Sequence, residues 1–193
     1  MYSSTYNKIF VLESLHDSET KTGKKLVNDV LKNQLESAGL GLGYYEVKTA
    51  DALRQCLQEI ADACTVKDKP LSPIIHLEMH GADDESGLII AATGELIEWS
   101  EFAKLCRNIN LACHNNLMLT LATCFGFGAI SKLDPNTVIR LDKPSPYFAL
   151  IGPTDTIYSP DVDKFQQFYL ELMLQSDFHA AFRHLKSAYS QYL

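Results

Sequence analysis

The sequence predicts an α/β fold in which a mostly parallel central sheet carries helices on both faces. Short apolar runs alternate along the chain with longer segments whose apolar residues recur at helical spacing, and such alternation is typical of a parallel sheet covered on both sides. The chain has 193 residues, of which 46% are hydrophobic and 21% charged. This size and composition predict a single domain over residues 1–193, held together without disulfides or metals.

The first half of the chain is predicted to contain two strands and two helices. A strand over residues 8–15 leads through a polar loop into a helix over about residues 23–37. A second strand, over residues 44–48, precedes Thr49, which can cap a helix over residues 50–64. Three glycines are expected to end the first helix: Gly39, Gly41 and Gly43.

The second half is predicted to contain three strands, a β-hairpin and three helices. Turn residues at Thr93 and Gly94 indicate the hairpin. In chain order the predicted elements are a strand at 74–79, hairpin strands at 88–91 and 95–98, a helix at 100–112, strands at 117–123 and 147–151, a helix starting at Ser159 and a last helix at 177–189.

Two of the predicted buried strands end in reactive side chains. His80 follows one strand and Cys124 follows another. Ligands of open parallel sheets bind outside the carboxyl ends of the strands. If the two strands are neighbours, His80 and Cys124 lie within reach of one substrate carbonyl.

These residue types suit nucleophilic catalysis. A thiolate attacks carbonyl carbons, and an imidazole shuttles the proton and then protonates the leaving amine. Gly81 has no side chain, so its N–H can approach a substrate closely, and the N–H of Cys124 can add a second oxyanion donor. Taken singly, each of the two residues would be expected in a structural role. Glu78, two residues before His80, could orient a partner or lie on a solvated face, and the solvated face is the expectation.

Over about residues 8–185, and most strongly from Ile74 to Asp155, the sequence resembles the caspase-like cysteine peptidases (clan CD), most closely their CHAT-type branch. The shared features are a strand ending in His80-Gly81, a small hairpin, a helix, and a strand ending in Cys124-Phe125-Gly126. The resemblance implies a caspase-like three-layer sandwich and a cysteine endopeptidase that acts through a His80/Cys124 dyad. Ala122 departs from the caspase pattern, so aspartate specificity does not carry over.

The resemblance also implies roles for residues outside the dyad. Asp17 and Asp155 are similar in position to acidic residues with which some relatives bind a P1 Arg or Lys, although both also suit solvent-exposed or helix-capping roles. Many relatives carry repeat domains that sense a signal, and this chain has no room for them. The expected function is therefore an effector of bacterial stress or phage defence that cleaves a protein substrate under the control of a separate partner.

Two other classes of function stay open at this stage. One is a non-catalytic caspase-like binding or scaffold module. The other is a doubly wound small-molecule binder, which the lack of a G-x-G-x-x-G or P-loop pattern disfavours.

Charge and cysteine content narrow the expected partners and compartment. A net charge of −7 argues against nucleic-acid and anionic-membrane partners. Five cysteines without C-x-x-C spacing predict neither a disulfide framework nor a structural zinc site. A cytoplasmic protein without cofactors is expected.

Overall fold

Strands rich in apolar residues form the centre of the molecule. The computed structural model describes residues 6–66, 68, 70–124, 126, 144–153, 156–157, 159–175 and 183. Within them lie seven strands: β1 (Lys8–Ser14), β2 (Gly41–Glu46), β3 (Pro73–Gly81), β4 (Gly87–Ile89), β5 (Leu96–Glu98), β6 (Met118–Ala122) and β7 (Ala149–Ile151).

Five of these strands pair in parallel, in the order β2-β1-β3-β6-β7. The predicted hairpin is confirmed as β4 and β5, which extend the carboxyl end of β3 with antiparallel pairing. Gly94 makes its turn with a positive φ of 73°, and the Gly94 N–H donates to the Ile90 carbonyl over 2.8 Å. The mostly parallel sheet predicted from the sequence is therefore confirmed.

Helices cover both faces of this sheet. On one face, α2 (Ala50–Cys64) and α3 (Trp99–Ala112) pack over the alternate strand residues that include Leu77 and Leu121. On the other face, the helix over residues 22–37, called α1, and α4 (Ser159–Gln175) pack over the set that includes Ile74. Each face buries its own apolar cluster, so the strands are buried on both sides.

The first helix and the strand that follows it differ most from the prediction. The helix α1 is α-helical over Thr22–Leu26, π-helical over Val27–Leu31 and α-helical again over Lys32–Ser37. Of the three glycines expected to end it, only Gly39 does so, at a positive φ of 68°. The strand β2 therefore begins at Gly41, three residues before the predicted start.

Capping and termination of α2 agree with the sequence. The Thr49 side chain accepts a hydrogen bond from the Ala52 N–H over 3.1 Å, as predicted for an N-cap. The predicted helix over residues 177–189 lies outside the described residues, apart from residue 183. No helix in the part of the chain that the structure describes is long and apolar enough to cross a membrane.

Replacing a leucine beneath the site tests this packing. Leu121 in β6 is fully buried, so Leu121→Ala should lower the free energy of unfolding by about 2–5 kcal/mol. Leu111→Ala removes the same atoms from a side chain on α3 that is 50% exposed, and should change it by no more than about 0.5 kcal/mol. Urea unfolding of both variants measures the difference, and equal losses would contradict the assigned faces.

Candidate functional site

The pairing of β3 with β6 brings the two strand ends together. The strands are parallel, and each pair, such as His76 with Thr120, joins residues 44 positions apart. His80 and Cys124 have the same separation, and each lies two residues beyond the last pair, Glu78 with Ala122. The two strands are neighbours, which was the condition for a shared site, and the two residues lie at the same edge of the sheet.

One cavity receives both side chains. It has a volume of about 290 Å³, and ten residues line it: Leu15, Glu19, Thr20, Thr22, Glu78, Met79, His80, Ala122, Cys124 and Ile157. The Cys124 thiol donates a weak hydrogen bond to the Ile157 carbonyl, with 3.8 Å between sulfur and oxygen. Among the described residues, no hydrogen bond joins this sulfur to His80. Such contacts are often long before a substrate binds.

Glu19 is a partner of His80 that sequence reasoning missed. It lies in the loop between β1 and α1, and its Oε2 is 3.0 Å from His80 Nε2 and accepts the His16 N–H over 2.6 Å. Partial burial opposes ionisation of Glu19, but these two hydrogen bonds outweigh it and lower the pKa of Glu19. The ionised carboxylate only accepts, so in the neutral ring Nε2 carries the proton and Nδ1 has the lone pair.

Gly81 lies against the backbone of Cys124. A Cβ added at Gly81 would come within 2.2 Å of the Cys124 carbonyl oxygen. The missing side chain was expected to let a substrate approach the Gly81 N–H. In the structure it leaves room for the backbone of Cys124, so Gly81 allows the ends of β3 and β6 to approach each other closely.

Glu78 contradicts the expectation of a solvated face. Its side chain is only 1% exposed and lies below the cavity. Oε2 accepts the Thr22 hydroxyl over 2.8 Å, and Oε1 is 2.9 Å from His76 Nε2. Desolvation raises the pKa of Glu78, although the hydrogen bonds with His76 and Thr22 oppose that rise.

Further hydrogen bonds tie this buried group to the helix α4. His76 Nδ1 is 2.8 Å from the Thr120 hydroxyl, which is 2.7 Å from the Tyr169 hydroxyl. His76 and Thr120 are fully buried, and the His76 ring also packs edge-on against Phe165. The network thus satisfies its buried polar atoms and links the floor of the cavity to the helix α4, which packs on the same face of the sheet as α1.

Asp17, one of the two acidic residues predicted to read the substrate, does not line this cavity. Asp17 has a side chain that is 94% exposed and lies 3.8 Å from Lys21. It lines a neighbouring cavity that also includes Leu15 and His16. Asp155 lies outside the described residues. The described acidic residues that line the cavity of Cys124 are Glu19 and Glu78.

One group of side chains in the described part of the chain has the composition of a metal site. The potential ligand atoms of His16, Glu19 and His80 all lie within 4.8 Å of one another. No metal was predicted from the sequence, and neither His16 nor Glu19 was predicted as a site residue. Both follow β1, whose carboxyl end adjoins that of β3, and this position could have indicated that they lie near His80.

Comparison with known proteins assigns no family to the chain. No model of a known protein family matches it, and no curated protein matches it.

An alanine at Gly81 tests the contact between the two strand ends. Gly81→Ala forces a Cβ onto a backbone carbonyl and should destabilise the protein by about 1–3 kcal/mol, measured by urea unfolding. Gly41→Ala is the matched control, because its Cβ would meet only the flexible Lys8 side chain. That variant should stay within about 1 kcal/mol of the wild type. Equal stability of both variants would rule out the close approach.

Proposed function

We propose that this chain is a caspase-like cysteine endopeptidase in which Cys124 is the nucleophile and His80 the general base and acid. The observation that carries the proposal is that both side chains line one cavity at the ends of two parallel strands paired in register. This geometry allows both groups to act on a single substrate carbonyl.

The reaction proceeds in two halves. His80 Nδ1 takes the thiol proton as the sulfur attacks the carbonyl carbon, and the carbonyl oxygen becomes an oxyanion that accepts the N–H groups of Gly81 and Cys124. Collapse of this intermediate expels the amine, which receives the proton from His80. Water then gives a proton to His80 and attacks the thioester, His80 returns that proton to the leaving thiolate, and the acid product releases its own proton to solvent as it leaves as a carboxylate.

Glu19 is the positioning residue for this dyad. By accepting a hydrogen bond from Nε2–H, Glu19 fixes the ring tautomer whose free lone pair is on Nδ1. The same carboxylate stabilises the imidazolium formed during attack. The backbone N–H of His16 holds the same carboxylate oxygen. The arrangement thus extends the sequence-predicted dyad to three residues.

The proposed substrate is a protein, cleaved by an effector of bacterial stress or phage defence that a separate partner controls. Binding of a P1 Arg or Lys by Asp17 would require the side chain to pass from the cavity of Cys124 over Leu15, which lines both cavities. Glu19 and Glu78, in contrast, line the cavity of Cys124 itself.

Labelling and cleavage test the nucleophile. A thiol-reactive peptide ketone should attach one equivalent to Cys124, and Cys124→Ala should lower cleavage of a peptide library by at least about 10³-fold. Cys56→Ala is the control, because Cys56 is also a half-buried free cysteine but lies on α2. Cys56→Ala should still be labelled at Cys124 and should cleave the peptide library at the wild-type rate.

Three results would sink the peptidase proposal. These are cleavage by Cys124→Ala at the wild-type rate, labelling of Cys56 in place of Cys124, and no labelling of Cys124 together with tight binding of a partner. The last result would establish the alternative, a non-catalytic binding module.

Neutralising Glu19 tests its positioning role. Glu19→Gln should lower kcat by about 10- to 100-fold, within the roughly 10²–10⁴-fold that acid–base catalysis contributes, with little change in KM or melting temperature. Glu36→Gln, on the exposed side of α1, is the control and should leave kcat unchanged. A change in KM alone, or a wild-type kcat in Glu19→Gln, would remove Glu19 from the mechanism.

A further inference from the structure

The loop after β1 brings two potential metal ligands to the end of β3. His16 and Glu19 come from that loop, and His80 comes from the adjacent parallel strand. Glu19 Oε2 and His80 Nε2 are 3.0 Å apart, and the centroids of the two imidazole rings are 5.7 Å apart. All three potential ligand atoms lie within 4.8 Å of one another.

We propose that His16, Glu19 and His80 form a zinc-binding site that inactivates the dyad when it is filled. Two imidazoles and one carboxylate are a ligand set typical of zinc sites that keep an open fourth position. Zinc–nitrogen and zinc–oxygen distances of about 2.0–2.2 Å place tetrahedral ligand atoms about 3.3–3.5 Å apart. The observed separations require shifts of about 1 Å or a little more, which exposed side chains accommodate.

The carboxylate of Glu19 also favours the binding of a cation. Glu19 Oε2 accepts the His16 N–H and faces His80, whereas no hydrogen bond among the described residues ends on Oε1. The nearby Lys21 contacts the Leu15 carbonyl over 2.6 Å and Asp17 over 3.8 Å. No lysine or arginine of the described residues forms an ion pair with Glu19, so its negative charge is available to an ion.

The cluster is open to solvent. The side chains of Glu19 and His80 are 36% and 38% exposed, and His16 is exposed. An ion can therefore enter and leave without unfolding of the loop. Imidazole ligands select zinc over magnesium and calcium, which prefer all-oxygen sites.

The inhibitory effect follows from the single lone pair of a neutral imidazole. If zinc binds Nδ1 of His80, it occupies the nitrogen that would accept the Cys124 proton. If zinc binds Nε2, the ring proton moves to Nδ1, which then cannot accept a proton. Either way the base is lost while zinc is bound. This consequence rests on the proposed function, whereas the metal site itself does not.

Direct zinc titration tests the site in the full chain. Competition with a chromophoric zinc chelator should show one zinc per chain, and His16→Asn should weaken the affinity by at least about 10-fold, since even loss of an outer-shell partner costs about 10–100-fold. His114→Asn is the matched control, because His114 is exposed, lies at the end of α3 and has a positive φ of 56° that asparagine tolerates. Its zinc affinity should equal that of the wild type.

An activity assay separates this inference from the proposed function. One equivalent of zinc should inhibit the wild-type peptidase, whereas His16→Asn, compared with its own activity without zinc, should resist that zinc concentration. Binding without any peptidase activity would refute the proposed function alone. An active peptidase that binds no zinc would overturn the zinc site. Equally tight zinc binding by His16→Asn would also overturn it, because that result would show that other groups, such as cysteines, bind the ion.

Discussion

The parallel pairing of β3 with β6 is the constraint on which the site depends. Paired residues of the two strands are always 44 positions apart, so His80 and Cys124 each lie two residues beyond the last pair of β3 with β6. The antiparallel hairpin pairs with β3 at His80 and Gly81, so β3 changes partners at the first residue of the proposed dyad. Gly81 then admits the Cys124 carbonyl. A slip of one residue in β6 would turn its side chains to the opposite face.

Below the cavity, buried polar groups add specificity at a cost in desolvation. Glu78 and His76 are paired at 2.9 Å with almost no exposure to solvent. Such a pair is poor evidence for stability, because desolvation offsets most of the attraction. Its bonds to Thr22 and, through Thr120, to Tyr169 instead require α1, β6 and α4 to take one relative arrangement. The network thus fixes the surroundings of the thiol and the imidazole.

Local patterns in the sequence predicted the strands and the hairpin because burial repeats at short intervals there. They also predicted which side chains end β3 and β6, since strand ends follow from where apolar runs stop. Glu78 was placed wrongly because its partner Thr22 lies 56 positions away in the sequence and reaches it only through tertiary packing. Glu19 was missed because a polar loop has no periodicity, and its contact with His80 spans 61 positions. The π-helical turn in α1 had no sequence signal either.

The position of Glu19 creates a conflict that bears on regulation. A carboxylate that orients an imidazole makes it a better base, and the same carboxylate makes it a better metal ligand. His16 decides between these outcomes, because it adds a second imidazole to the cluster without contributing to proton transfer. In the proposed zinc site, an ion and the proton of Cys124 would therefore compete for one lone pair of His80.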